Sequence, residues 1–198
     1  MVAELAEDIV QPGSNVYDLG CSTGTTLLML DRTLPMDVNF VGVDDSHEML
    51  VKCESKLREH QVKRKVELQC TDLHLGVDMK DASLALMVLT LQFLRPLHGE
   101  RLIADVFKGL RENGGLILVE KVLGEDSHFN RLFIKHYYDF KRRNGYSETE
   151  IAQKREALEN VLIPYKLLEN RELLLKAGFR YVDVFFKWYN FCGIVAIK

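Results

Sequence analysis

The stretch from Asn15 to Gly24, NVYDLGCSTG, carries a carboxylate and two glycines at a spacing that suits ligand binding. Its first half predicts a buried strand, because branched and aromatic side chains dominate it. Gly20 adopts positive φ without a steric penalty, so the chain can turn there and a ligand can lie against the backbone. A helix after Gly24 would direct its free N–H groups at that ligand. We expect Asp18 to bind a polar or cationic part of it.

A second strand is predicted at Asn39–Val43, and it ends in the acidic pair Asp44 and Asp45. In nucleotide-binding α/β folds, an acidic residue about 20 positions after a glycine turn accepts the ribose hydroxyls. The spacing G-x-x-x-G lacks the third glycine of the dinucleotide fingerprint and the Gly-Lys-Ser/Thr of a phosphate-binding loop. A nucleoside without phosphate fits this pattern, which favours S-adenosylmethionine (SAM). The alternatives are an ordinary strand-turn-helix for the glycines and a helix cap for Asp44.

Two further stretches are expected at the same edge of the sheet. Asp72 and Leu73 follow a strand predicted at Lys65–Cys70, and Val88 lies near the end of an apolar strand predicted at Ser83–Leu89. Ligands of doubly wound sheets bind at the carboxyl ends of the strands, so these residues should face the glycine turn. We expect Asp72 to accept from an adenine amino group, with Leu73 against the ring. The alternative for Asp72 is a solvated loop carboxylate.

Strands and helices alternate over the first two-thirds of the chain, which predicts a parallel, doubly wound sheet with right-handed crossovers. The helix after Gly24 is expected to take its cap from a hydroxyl side chain, that of Ser22, Thr23, Thr25 or Thr26. Apolar spacing and stop signals place the remaining elements of this part as follows: helices at Val2–Val10, at His47–His60 with Asp45 or Ser46 as cap, and at Leu102–Leu110 with Asn113-Gly114-Gly115 as its stop, and a fifth strand at Leu116–Val119.

After the fifth strand the alternation breaks. Ser127–Leu158 is predicted to form two helices around Asn144–Ser147, rich in basic and aromatic residues, and a solvated face is the simplest interpretation for most of them. Ser147 and Glu150 have the spacing of a capping box, which would fix the helix that carries Arg155. An arginine on a rigid helix suits two-point binding of a carboxylate. The pattern then resumes with a helix at Lys166–Ala177, a stop at Gly178, and strands at Tyr181–Phe186 and Phe191–Ile197.

Composition limits the classes of protein that fit. A length of 198 residues predicts one domain, and 47% hydrophobic residues suffice for a sizeable core. A net charge of −3 gives no support for a surface that coats nucleic acid, and the apolar runs are too short for a membrane span. The acidic N-terminus resembles neither a signal nor a transit peptide, so cytoplasm is expected. Six histidines without ligand spacing predict no metal. The cysteines are scattered, and Cys70 and Cys192 are expected to be buried free thiols.

Four stretches resemble the carboxy-S-adenosyl-L-methionine synthases, the CmoA-type enzymes of wobble-uridine modification in bacterial tRNA. The glycine motif alone would indicate only a SAM-dependent transferase, whereas the last two stretches are absent from ordinary methyltransferases. The similarity extends over essentially the whole chain. The stretches lie within Gln11–Ser22, Thr90–Leu94, Asp139–Glu148 and Gln153–Val161.

The resemblance implies a Rossmann-like, seven-stranded SAM-dependent methyltransferase fold with a helical insertion at residues 127–160 in one domain of residues 1–198. It implies that the methyl carbon of SAM is carboxylated, with prephenate as the carboxyl donor and phenylpyruvate and carboxy-SAM as products. The sulfonium acidifies the methyl C–H bonds, so an ylide can capture carbon dioxide as prephenate aromatises. A homodimer is implied, with the insertion as its dimer face; the alternative for the insertion is a lid. Neither direct nucleic-acid binding nor a membrane is expected.

The resemblance also assigns roles to residues. Arg155 would be the catalytic residue that pairs with the added carboxylate. Val88 replaces an asparagine ligand of the family and cannot make its hydrogen bond. The family has a further N-terminal segment with a ligand-contacting tyrosine, so the chain is a shortened or a diverged member. Two alternatives stay open: a SAM-dependent methyltransferase of a small molecule or RNA, and a non-catalytic SAM-binding scaffold. The resemblance further implies that Gly20, Cys21, Ser22, Asp44, Asp45, Asp72 and Leu73 contact the ligand.

Overall fold

A computed structural model describes residues 1–198, and seven strands form its central sheet. The strands are β1 (Asn15–Leu19), β2 (Asn39–Asp44), β3 (Val66–Cys70), β4 (Ala82–Val88), β5 (Leu110–Lys121), β6 (Tyr181–Trp188) and β7 (Phe191–Ile197). The helices are α1 (Val2–Ile9), α2 (Thr25–Asp31), α3 (His47–Glu59), α4 (Pro96–Gly109), α5 (Ser127–Arg143), α6 (Glu148–Leu158) and α7 (Leu167–Ala177). Short 3₁₀ turns lie at Leu73–Leu75 and Leu91–Phe93.

The sheet has the order β3-β2-β1-β4-β5-β7-β6. The first five strands in the chain pair in parallel, and β7 lies antiparallel between β5 and β6. The strand order reverses between β1 and β4, which opens a crevice at their carboxyl ends. This topology confirms the predicted Rossmann-like, seven-stranded fold, and α5 and α6 form the predicted insertion after β5.

The two faces of the sheet carry separate hydrophobic cores. Successive side chains of a strand point to opposite faces, so Val16 joins one core and Tyr17 the other. On the first face α1, α2 and α3 contribute residues such as Ala6, Leu27 and Cys53, whereas α4 and α7 cover the second face. Because both faces are covered, β4 is buried at every position except Val88. The sheet therefore holds the carboxyl ends of its strands rigidly at one edge.

The boundary between α4 and β5 differs from the prediction. Helix α4 begins at Pro96, in a first turn where proline is tolerated, and β5 begins at Leu110 rather than Leu116. Gly114 and Gly115 therefore lie inside the strand and do not end the helix. A Cβ on Gly115 would lie 2.9 Å from Ile197 Cδ1, so this glycine permits close packing.

Two further predictions are wrong in detail. Cys70 is exposed at the end of β3, an edge strand, although Cys192 is buried as expected. No hydroxyl side chain caps α2, whose N-cap is Gly24 with φ 74°. The hydroxyls of Thr23 and Thr25 instead accept hydrogen bonds from Lys56 Nζ at 2.9 and 3.1 Å.

The capping box of Ser147 and Glu150 is present as predicted. None of the helices is long and apolar enough to cross a membrane.

Arg64 fixes the turn between α2 and β2. Its side chain is fully buried, and Nε donates to Asp31 Oδ1 at 2.6 Å. The guanidinium carbon lies 4.3 Å from the centroid of the Phe40 ring. The two terminal nitrogens donate to the backbone carbonyls of Asp31, Leu34, Pro35 and Val38. One side chain therefore donates to five acceptors, of which only the carbonyl of Pro35 has a further backbone donor, the N–H of Val38.

Arg64→Leu is expected to lower the free energy of unfolding by roughly 3 kcal/mol or more, because it removes five hydrogen bonds and leaves the carbonyls of Asp31, Leu34 and Val38 without a protein donor. Urea unfolding measures this loss. The matched control is Arg58→Leu, which removes only an exposed pair with Glu54 on α3 and should change stability by about 0.5 kcal/mol or less. Equal losses in the two variants would contradict the role of Arg64.

Candidate active site

A cavity of about 440 Å³ opens at the carboxyl ends of β1, β2 and β4, and we call it the strand-end cavity. Seven of the nine residues assigned to the ligand line it: Gly20, Ser22, Asp44, Asp45, Asp72, Leu73 and Val88. The two assigned residues outside it are Cys21 and Arg155. Further lining comes from residues to which the sequence assigned no ligand contact: Thr71, His74, Leu89, Thr90, Phe93 and Leu94.

Gly20 brings two chain segments into close contact at this cavity. Its φ is 82°, and a Cβ here would collide with the side chain of Thr90. Thr90 Oγ1 uses that approach to donate to the carbonyl of Leu19 at 2.8 Å. The N–H groups of Gly20 and Cys21 both donate to the carbonyl of Val43, at 2.8 and 3.0 Å. The glycine turn is therefore bonded to β2 on one side and to the segment after β4 on the other.

Asp44 connects the glycine turn with the start of α3. Its Oδ2 accepts from the N–H of Ser22 at 2.9 Å, and its Oδ1 accepts from the N–H of Ser46 at 3.0 Å. Ser46, not Asp45, is the N-cap of α3, with its Oγ accepting from Met49. Each carboxylate oxygen keeps a second lone pair towards the cavity. Asp44 thus holds backbone and also presents an acceptor for a ligand hydroxyl.

Asp72 is held in place by His74, which the sequence did not single out. Asp72 Oδ1 accepts from the backbone N–H of His74 and from its ring Nδ1, both at 2.9 Å. These bonds lower the pKa of Asp72, so the side chain is a carboxylate and Nδ1 carries the proton. Oδ2 has no hydrogen-bond partner in the protein, and Asp72 lines the strand-end cavity, so this oxygen is free to accept from a ligand donor. Leu73 beside it is buried and apolar.

Asp18 lies under the glycine turn with only 1% of its surface exposed. Its Oδ2 is buried without a hydrogen-bond partner. Burial and, to a smaller extent, the negative charge of Asp44 raise the pKa of Asp18 to about 7. A buried carboxylate oxygen without a donor is costly, and a cationic or N–H-bearing ligand group would satisfy it. This orphaned oxygen and the two acceptors Asp44 and Asp72 fit SAM, which offers an ammonium group, ribose hydroxyls and an adenine amino group.

Cys21 does not reach the strand-end cavity. Its side chain is buried, and a hydrogen bond with the thiol of Cys53, together with burial, raises its pKa. Its contribution beside the cavity is the backbone N–H that donates to Val43. The thiol therefore packs between the glycine turn and α3 and does not face a ligand.

Arg155 lies in a second cavity of about 480 Å³ between the insertion helices and the end of β5. Four cationic side chains line it, those of Lys121, Lys141, Lys154 and Arg155, against a single acid, Glu159. We call it the cationic cavity. Burial and the charge of Lys141 lower the pKa of Lys121. The remaining lining is aromatic, apolar or amide: Tyr137, Tyr138, Ile151, Leu158, Asn160, Leu162 and Pro164.

The two cavities share a wall. Leu89, Phe93 and Leu94 line the strand-end cavity, and Leu162 and Pro164 line the cationic cavity. Between them the N–H of Ile163 donates to the carbonyl of Gln92 at 2.7 Å. The structure therefore places Arg155 in a different cavity from the other assigned residues, on the far side of this wall. A larger depression of about 570 Å³ lies on the face of β1–β3, and no residue of the glycine turn lines it.

Solved structures share this fold. A SAM-dependent methyltransferase from Aquifex aeolicus superposes with a TM-score of 0.65 at 17% identity, over 98% of this chain and 87% of that one. The SAM-dependent methyltransferase SibL gives 0.66 at 14% identity, over 100% of this chain and 55% of that one. The [4+2]-cyclase SpnF gives 0.65 at 18% identity, over 92% and 58%. The same fold thus serves different reactions, and the reaction has to be argued from the site.

Sequence relatives define the class first and then the family. Residues 16–114 match the model of a methyltransferase domain. A carboxy-S-adenosyl-L-methionine synthase of Methylococcus capsulatus is 63% identical over 100% of this chain and 82% of its own length. Enzymes of the same name from Helicobacter pylori and Desulfotalea psychrophila are 41% and 42% identical, over 81% and 80% of their lengths. The chain belongs to the carboxy-S-adenosyl-L-methionine synthase family.

Asp18→Asn tests the buried charge in the ligand-free protein. The folded pKa near 7 lies above the ordinary 3.8, so the protonated carboxyl favours folding. That contribution is complete below about pH 4 and is lost as the pH rises to about 7. Relative to the wild type, the variant should therefore gain about 1 kcal/mol or more between pH 5 and pH 8, measured by urea unfolding. Asp45→Asn is the control, because Asp45 is an exposed carboxylate that lines the strand-end cavity. Parallel pH profiles for Asp18→Asn and wild type would contradict the assignment.

Proposed function

We propose that this chain is a carboxy-SAM synthase that converts SAM and prephenate to carboxy-SAM and phenylpyruvate. The observation that carries the proposal is the pair of adjoining cavities. The strand-end cavity has the acceptors that a nucleoside with an ammonium group requires, and the cationic cavity next to it has the charge that a carboxylate donor requires. The relative from Methylococcus capsulatus carries this name at 63% identity over the full chain.

SAM is proposed to lie in the strand-end cavity with its ribose hydroxyls on Asp44. The adenine amino group donates to Oδ2 of Asp72, whose Oδ1 is already taken by His74. The amino-acid part passes over the glycine turn, under which Oδ2 of Asp18 lacks a donor. The sulfonium then lies between these ends, beside Val88 at the end of β4.

Prephenate is proposed to occupy the cationic cavity, because it has two carboxylates and the cavity offers four cations to one acid. As its ring aromatises, prephenate releases carbon dioxide and hydroxide. The hydroxide takes a proton from the sulfonium methyl group, and the methyl carbon forms a bond to carbon dioxide. The products are carboxy-SAM, phenylpyruvate and water, so atoms and charge balance. Arg155 is proposed to pair with the carboxylate that reaches the SAM methyl carbon.

A second candidate function is methyl transfer by SAM itself. Val88 favours it, because it presents an apolar side chain to the strand-end cavity where the resemblance implies an asparagine. With no hydrogen bond there, a ligand carboxylate loses one donor. A SAM-binding scaffold without activity is the third possibility.

Two further proposals concern the setting of the reaction. Carboxy-SAM is proposed to serve wobble-uridine modification of tRNA in the cytoplasm, with no direct nucleic-acid binding by this chain. A homodimer is proposed because α5 is amphipathic yet buries none of its residues. Its exposed apolar side chains offer a second copy a surface to cover; they include Phe129, Leu132 and Phe140.

The test is to incubate the purified protein with SAM and prephenate and to analyse the products by mass spectrometry. A SAM derivative heavier by one carbon dioxide, formed together with phenylpyruvate and only when prephenate is present, is the expected result. Transfer of the methyl group to another acceptor with release of S-adenosylhomocysteine would favour the methyltransferase. SAM binding without any product would favour the scaffold.

Arg155→Ala should weaken carboxy-SAM binding roughly ten- to a hundred-fold more than SAM binding, because a hydrogen-bonded charge contact is worth about 1.5–3 kcal/mol. SAM lacks the added carboxylate and should lose little. Competition titration of the two ligands measures the difference. Arg143→Ala is the control, since Arg143 is exposed at the end of α5 and lines neither cavity. Equal losses for both ligands would make Arg155 a structural residue.

A further inference from the structure

Glu120 is a buried acid that the proposed reaction does not use. It lies next to the end of β5 with 2% of its surface exposed, and it lines neither the strand-end nor the cationic cavity. Its Oε1 accepts from the backbone N–H of Thr90 at 3.0 Å and of Leu91 at 2.9 Å, and its Oε2 accepts from the N–H of Gln92 at 3.2 Å. Burial raises its pKa to about 8, although these three donors lower it.

These three N–H groups begin the 3₁₀ turn at Leu91–Phe93, where no earlier carbonyl of the turn can reach them. In a solvated loop water would take this role. Leu91 and Gln92 are buried, so the two carboxyl oxygens of Glu120 supply the acceptors that water cannot. One side chain therefore determines the backbone conformation of three consecutive residues.

The segment that Glu120 holds is the wall between the two cavities. The hydroxyl of Thr90 bonds the carbonyl of Leu19, next to the glycine turn. The side chain of Gln92 accepts from the N–H of Lys121 at 3.3 Å and donates to the carbonyl of Leu89 at 3.2 Å. The carbonyl of Gln92 accepts from Ile163, which follows the insertion. The wall is thus bonded to the ends of β1 and β5 and to the exit of the insertion.

The backbone of Leu89, in this wall, has a conformation that a leucine side chain disfavours. Its φ is 60°, a left-handed conformation that is uncommon for a bulky side chain, and it lines the strand-end cavity with 39% of its surface exposed. Such a conformation persists only where the surrounding structure imposes it. The bonds from Glu120 to the next three residues, and from Gln92 back to Leu89, are the contacts that impose it.

We propose that Glu120 is a positioning residue, which fixes the wall at Leu89–Phe93 and thereby sets the sulfonium methyl group of SAM against the carboxyl donor. The identity of the two substrates rests on the proposed function, whereas the fixing of the wall does not. Glu120 acts through the backbone that it holds and touches neither substrate. Its loss should therefore affect the geometry of the reaction and the shape of the SAM site more than the sheet.

The experiment compares Glu120→Gln with the wild type. The carboxamide turns an N–H donor towards three backbone donors, so at least one bond is lost. Amide hydrogen exchange of Thr90–Gln92 should quicken at least ten-fold in the ligand-free protein, with the β5 amides of Leu116–Leu118 unchanged. The Kd for SAM, measured by calorimetry, should rise at least ten-fold, and kcat at saturating SAM and prephenate should fall at least ten-fold. Glu112→Gln, an exposed acid on the same strand, is the matched control and should change none of these.

The results of these measurements separate a positioning role of Glu120 from a purely structural one. Unchanged exchange at Thr90–Gln92, or faster exchange with unchanged Kd and kcat, would overturn the inference. Uniformly faster exchange across the sheet would show a structural role alone. Should Glu120→Gln fail to fold, Gln92→Met removes two bonds of the same wall without touching Glu120 or either cavity, and an unchanged kcat in that variant would overturn the inference. A wild type that binds SAM but forms no carboxy-SAM would refute the proposed reaction, while the exchange and Kd results would still test the wall.

Discussion

The strand-end cavity depends on the close approach of Thr90 to Gly20. Any side chain at Gly20 would push Thr90 away, and the bond from Thr90 Oγ1 to the carbonyl of Leu19 would be lost. Since Thr90 belongs to the wall held by Glu120, the glycine turn and the wall are positioned together. The N–H groups of the glycine turn donate hydrogen bonds to the carbonyl of Val43 and the carboxylate of Asp44, and these bonds attach the turn to β2. Because Gly20 has no Cβ, the carboxyl ends of β1, β2 and β4 can lie close together around the strand-end cavity.

The site combines this rigid backbone with unequal charge. Acidic side chains gather at the strand ends, and Asp18 is buried among them without a partner. Cations gather on the far side of the wall, around Arg155 and Lys121. Such an arrangement suits a reaction between a cationic and a dianionic substrate, because each is attracted to its own side and the wall fixes the distance between them. Binding and orientation then follow from the same set of charges.

The sequence was sufficient for the fold and for most of the strand-end cavity, because a parallel sheet brings the carboxyl ends of its strands to one edge. Asp44, Asp72 and Gly20 could be placed there from their positions after apolar runs. The position of Arg155 could not be predicted in the same way, since it depends on how the insertion packs against β5.

Glu120 was missed because the fifth strand was expected to end at Val119, and an acid after an apolar run gave no sign that three backbone donors would surround it. His74 was missed for a related reason, since histidine spacing was examined for metal ligands only. The pairing of an acid with a histidine two positions later, directly after a strand, is a signal that could have found it. Gly114 and Gly115 were predicted to end a helix but lie inside β5. A glycine that ends a helix and a glycine that permits close packing cannot be told apart from the sequence alone.

The exposed thiol at the end of β3 gives this protein a built-in attachment point. Cys21, Cys53 and Cys192 are buried, so a maleimide dye added to the folded protein reacts at Cys70. Cys70 directly precedes Thr71 and Asp72, which line the strand-end cavity, and its thiol lies 3.5 Å from the carbonyl of Asp45. A fluorophore at this position would sense the Asp72 side of the cavity as it fills. The native sequence thus permits a direct optical signal of occupancy without any engineered cysteine.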